Sequence, residues 1–127
     1  QSKIIYSLVK DAILRAKNMI PELKNLIFLN DNSLNVYKSI SKGFDVIYLD
    51  PMYPSSHKKN KKSGRLANIK KILEIENLTD NGENLVKEFF NLEYKKIILK
   101  RPLKYSKNYS NINYQVLGKT TRFDIYL

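Results

Sequence analysis

A chain of 127 residues can build one domain with a real core, and is small for an enzyme that carries its own cofactor domain. Its 23 Lys and Arg against 12 Asp and Glu give a formal charge of +11; this suits a polyanionic partner, although the Lys, Asn, Ile and Tyr content also fits an AT-rich genome. Without cysteine there is no disulfide or thiolate site, the single His57 builds no zinc site, and no apolar run reaches the ~20 residues of a membrane span, so a soluble, cytoplasmic protein without metal or membrane partner is expected.

Ile4, Ile5, Leu8, Val9, Ala12, Ile13, Ala16 and Ile20 recur at three- and four-residue steps and predict a helix limited by Pro21. Residues 26–29 form a short apolar run that reads as a buried strand. Asn30-Asp31-Asn32-Ser33 supplies turn and cap chemistry before a short helix toward Ile40. Gly43 resets the chain, and residues 46–49 predict the next strand. Residues 55–64 are polar, strongly basic and bounded by Pro54 and Gly64, which predicts a loop.

Helices are expected over residues 66–75 and 81–92, the second capped by Thr79 or Asp80. Residues 97–99 predict a third buried strand, closed by Lys100-Arg101-Pro102, and residues 103–113 a loop. Residues 114–117 and 122–127 read as strands joined by Gly118-Lys119-Thr120-Thr121, an antiparallel hairpin. Helices alternating with single strands, then a hairpin, define an α/β fold whose sheet is mostly parallel and antiparallel only at one edge.

In open sheets of this kind ligands bind beyond the carboxyl ends of the strands. Three marked places then share one rim: Asn32-Ser33, Asp50 to Tyr53, and Lys100-Arg101. Pro51 lacks an N–H and biases Asp50 toward extended backbone, so Asp50 projects from the end of its strand. The carbonyls of Asp50 and Pro51 lack ladder partners there, and Tyr53 offers a flat face for a base. These parts suit a planar exocyclic amine. On the tetrapeptide alone a strand followed by a proline turn is the commoner explanation, so the other blocks must decide.

Asp50-Pro51-Met52-Tyr53 resembles the Asp/Asn-Pro-Pro-aromatic motif of enzymes that methylate such amines, with Met52 in place of the second proline. Together with Lys100-Arg101-Pro102 and the block from Gly118 to Leu127, in that order, the chain resembles the ribosomal RNA small subunit methyltransferase J family. The resemblance implies a class I, Rossmann-like fold that uses S-adenosylmethionine to methylate the exocyclic N2 of a guanosine in small-subunit (16S) ribosomal RNA, with that RNA or the small subunit as partner. It places Asn32 and Ser33 along the adenosine of the cofactor and Asp50 at both cofactor and target amine. The family's glycine-rich loop and its ribose-holding acid are not in this sequence. With the start at Gln1, this predicts that residues 1–127 are the carboxyl-terminal portion of a single methyltransferase domain.

Asp50, Pro51 and Tyr53 are thus the expected catalytic residues, Tyr53 stacking the base or else packing under the loop. Lys100 and Arg101 are expected to clamp RNA phosphates, or else to solvate a strand end. Lys58 and Lys59 are expected to contact RNA from a solvated loop. Arg122 and Asp124 are expected to form an internal ion pair. Two other readings use the same residues: a DNA adenine or cytosine N-methyltransferase, and a non-catalytic RNA-binding remnant.

Overall fold

A computed structural model describes residues 2–40, 43–51, 64–78, 82–106, 109 and 111–127. It divides into two compact units. One contains helix α1 (Lys3–Ala16), a 3-10 turn (Pro21–Asn25), the start of α2 (Ser33–Ser39) and α3 (Gly64–Ile75). Ser2 caps α1 by accepting from the Ile5 N–H at 3.0 Å. Glu76, just beyond α3, receives the Lys3 and Ile4 N–H groups at 2.9 and 3.2 Å. A carboxylate against these orphan donors meets the positive end of the helix dipole. Its hydrogen bond to Ser2, with smaller help from the backbone of Ile4 and Lys3, holds Glu76 below the usual carboxylate range.

Only part of the predicted face of α1 is covered: Ile5, Ile13 and Ala16 are half-buried, whereas Ile4, Leu8 and Val9 are exposed. The strand expected over residues 26–29 does not form. Leu26 instead closes the 3-10 turn by donating to the Leu23 carbonyl at 3.0 Å, and Ile27 is 79% exposed. Phe28 stacks on Tyr6 with centroids 5.1 Å apart.

The other unit carries the rest of α2, helix α4 (Gly82–Phe90) and a four-stranded sheet of β1 (Ile47–Leu49), β2 (Ile97–Pro102), β3 (Tyr114–Leu117) and β4 (Thr121–Tyr126). The strand order is β1-β2-β4-β3. β1 and β2 are parallel, and β4 is antiparallel to both β2 and β3. The sheet is therefore mixed rather than mostly parallel, and the terminal hairpin does not simply extend its edge. The reversed strand β4 lies inside, between two strands that run the other way. The tight connection after Gly118 suits this: a Cβ there would sit 3.1 Å from the Thr121 carbonyl, whose oxygen accepts the Gly118 N–H at 2.8 Å.

Alternation along the strands makes one sheet face the core. Ile47 and Leu49 of β1, Ile97, Leu99 and Arg101 of β2, and Arg122, Asp124 and Tyr126 of β4 occupy it, all buried. Helix α4 covers it with Val86 and Phe89, and Phe90 meets Tyr126 edge-on at 4.5 Å. The α4 boundaries lie within the expected span; its expected cap, Thr79 or Asp80, lies outside the described residues.

Candidate active site at the end of β1

The parallel register Leu49↔Leu99 places Asp50, the first residue beyond β1, alongside Lys100 of β2. Both side chains leave the sheet on the face opposite the buried leucines. Lys100 Nζ donates to Asp50 Oδ2 at 2.7 Å, with the two side chains 34% and 45% exposed. That hydrogen bond raises the proton affinity of Lys100 above its ordinary value, so its ammonium is charged at neutral pH. Pro51 follows at intermediate burial. The result is an accessible carboxylate on a strand end, fixed through one oxygen by a cation from the neighbouring strand. Such a group can accept N–H donors from a ligand.

Arg101 points the other way. Its side chain is 0% exposed, with Nη1 3.1 Å from Glu83 Oε1 and Nε 3.7 Å from Asp124 Oδ2. The rings of Tyr105 and Tyr109 flank its guanidinium at 4.9 and 5.0 Å. The expected phosphate clamp at Arg101 is therefore corrected: the strand's period of two carries it into the core with Ile97 and Leu99, where it is part of an internal ionic network. The signal was in the sequence, since Arg101 lies two and four residues beyond two buried apolar positions.

The same network holds Glu83, Tyr105 and Tyr109, which the sequence reading left out. Tyr105 and Tyr109 hydroxyls donate to Glu83 at 3.2 and 2.9 Å. Burial first, then the carboxylate of Glu83, pushes the Tyr109 phenol above its ordinary range. Arg122 Nε bonds Asp124 Oδ1 at 3.0 Å, the internal pair the sequence suggested, while its Nη1 reaches the Leu103 and Tyr105 carbonyls at 3.3 and 3.0 Å. Gln115 completes the shell of Asp124 at 2.6 Å. These bonds fasten the chain beyond β2 to α4 and β4, so the strand bearing Lys100 has a rigid base.

Asn32 and Ser33 belong to the other unit. Asn32 Oδ1 accepts the Leu34 N–H at 2.9 Å and so caps α2, as its position predicted, and Ser33 is exposed in the first turn. Tyr53, Lys58, Lys59 and His57 lie outside the described residues. Among the described residues no three His, Cys, Asp or Glu side chains gather as metal ligands would, and no helix is long and apolar enough to cross a membrane.

A helix-flanked sheet with an accessible acid-proline step at a strand end is an arrangement found in several enzyme classes, and comparison with known proteins narrows it. The family described as "Putative SAM-dependent methyltransferase" matches residues 1–127, so the chain belongs to that family. More particularly, it is 36% identical over 106 residues to the ribosomal RNA small subunit methyltransferase J of Buchnera aphidicola subsp. Schizaphis graminum, covering 82% of this chain and 41% of that one. It is 35% identical over 130 residues to the protein of the same name from Francisella tularensis subsp. novicida, covering 96% and 52%. The chain thus spans about half the length of the curated relatives it matches. No solved structure matches it significantly.

Proposed function

We propose that the protein carrying this chain methylates the exocyclic N2 of a guanosine in small-subunit ribosomal RNA, in the cytoplasm, using S-adenosylmethionine. The observation that carries the reading is the placement of Asp50-Pro51: an exposed carboxylate, held by Lys100, at the carboxyl end of a parallel strand. The family membership supplies the reaction class, and the names of the relatives supply the RNA. We also read the sheet as part of a Rossmann-like class I fold, supported by the parallel β1–β2 pair and by the three strands that share one direction around reversed β4.

The residues present fit part of the cofactor. Ser33 offers an exposed hydroxyl, and Asn32 retains its amide N–H groups after its oxygen has capped α2. These could follow the edge of an adenosine. When bound, the cofactor supplies an electrophilic methyl group on a sulfonium.

The chain's own residues meet the other half of the problem. A guanine amine is a poor nucleophile because its lone pair is delocalised into the ring. Hydrogen bonds from its two N–H groups to the Asp50 carboxylate and the Pro51 carbonyl favour the pyramidal nitrogen that can attack, and stabilise the positive charge that develops there. A base leaving its stack needs a new surface, the role assigned to Tyr53. RNA phosphates approach this end of the sheet over Lys104 and Lys119, with Lys58 and Lys59, outside the described residues, as further proposed contacts. Lys104 and Lys119 are exposed on neighbouring connections tied by the Leu103 N–H to the Thr120 carbonyl at 3.0 Å.

The test is methyl incorporation from labelled S-adenosylmethionine into undermethylated small subunits by the full-length gene product. Asp50→Ala should lower transfer by about 100-fold or more while leaving the fold intact, by analogy with loss of one transition-state hydrogen bond. Unchanged turnover would remove Asp50 from the mechanism, and transfer to duplex DNA in place of RNA would replace the substrate.

A further inference from the structure

We infer that Lys100 is a positioning residue for Asp50: by occupying Oδ2 it fixes the carboxylate so that Oδ1 presents its lone pair to the target amine. This rests on the proposed role of Asp50, and it reassigns Lys100 from the RNA backbone to the reaction geometry.

Three observations carry it. First, the contact is imposed by the sheet. Register places the two residues side by side on the same face, and the 2.7 Å hydrogen bond closes without either side chain leaving its strand. Second, the platform is stiff where Lys100 starts. Lys100 is laddered on both sides, to β1 and to Phe123 of β4, and the next residue is the fully buried Arg101. Third, exposure separates a stabilising role from a positioning one. With both side chains substantially exposed, the pair contributes little to folding. What remains is orientation: a carboxylate on a single Cβ–Cγ bond turns freely unless one oxygen is held. Among the described residues Oδ1 has no other hydrogen bond, so it is the acceptor left for a ligand.

The chemistry agrees. The amine must be aligned with the donor methyl, and misplacement of about 1 Å can cost about 100-fold in rate. An ammonium on the far oxygen fixes that alignment without competing for the near one. The Asp50 contact in turn raises the proton affinity of Lys100, favouring its ammonium form.

The experiment uses the full-length gene product with Lys100→Met, Lys100→Arg, Asp50→Asn and the double variant Asp50→Asn/Lys100→Met. Single-turnover methyl transfer and RNA affinity against salt are measured for each, with unfolding midpoints to confirm intact folds. Lys100→Met should lower kcat by about tenfold or more with KM for RNA and the salt slope unchanged. Lys100→Arg should restore most of the rate, and the double variant should be no slower than Asp50→Asn alone. Full kcat in Lys100→Met, with Asp50→Asn inactive, would overturn the inference and leave the proposed function standing. A higher KM with a shallower salt slope would also overturn it, by making Lys100 a phosphate contact. Full activity in Asp50→Ala would remove Asp50 from the mechanism and overturn this inference with it, and no transfer to ribosomal RNA by the parent would overturn the proposed function.

Discussion

Replacing Arg101 by Met separates a surface clamp from a buried strut. The guanidinium sits between Glu83 at 3.1 Å and Asp124 at 3.7 Å and between two tyrosine rings, with no exposed surface. Removing one partner of a buried ion pair costs about 3–5 kcal/mol. Asp124 keeps Arg122 at 3.0 Å and Gln115 at 2.6 Å, which places the loss near the lower limit, about 3 kcal/mol. With a urea slope of about 1–3 kcal/mol/M for a small protein, the unfolding midpoint should fall by about 1–3 M. A surface lysine or arginine would change stability by only about 0.5 kcal/mol. Urea unfolding followed by far-ultraviolet circular dichroism measures the shift, and RNA binding against salt is read in parallel. An unmoved midpoint together with a shallower salt slope would refute the buried assignment.

Tyr126 provides a pH test. Burial, and then the charge of Asp124, raises its phenol to about 12 from 10.0. The folded state therefore holds the proton more tightly than the unfolded state. The associated stability is complete below pH ~10 and is lost as pH rises toward 12, about 3 kcal/mol in all. Tyr109 is shifted in the same direction and adds to the alkaline loss. The Tyr126 hydroxyl is buried with no hydrogen-bond partner among the described residues, so Tyr126→Phe should be within about 0.5 kcal/mol of the parent at pH 7 and should unfold later in alkali. Parallel alkaline melting curves would discard this account. Lys104→Gln with Lys119→Gln should lower the salt slope of RNA binding by about 1.4, from about 0.7 per phosphate on a single strand. An unaltered slope would place the RNA elsewhere.

Much of the sheet was legible because its strands are bounded by breakers. Residues 97–99 open β2 and residues 114–117 are β3; β1 starts one residue later than expected, and β4 is shifted by one residue at both ends. Residues 26–29 were misread because four consecutive apolar residues carry no period, and a strand exists only when a neighbour completes its ladder; none does so among the described residues. The inward turn of Arg101 was legible in principle, since alternation outranks the charge of a single residue. The Asp50–Lys100 pairing required the register, which no single strand contains. Glu83, Tyr105 and Tyr109 were out of reach because their meeting depends on how α4 and the chain after β2 pack, and neither has a local pattern that reports it.

The inward position of β4 has a consequence for biosynthesis. It is the last of the four strands to emerge from the ribosome, yet it is the one that joins β2 to β3. Until it arrives, β2 has an open edge along Ile97, Leu99 and Arg101, and the positive charge of Arg101 lacks Asp124. A nascent chain halted before residue 121 is therefore a sticky, half-zipped intermediate, and residues 121–126 act as the fastener that removes its aggregation-prone border.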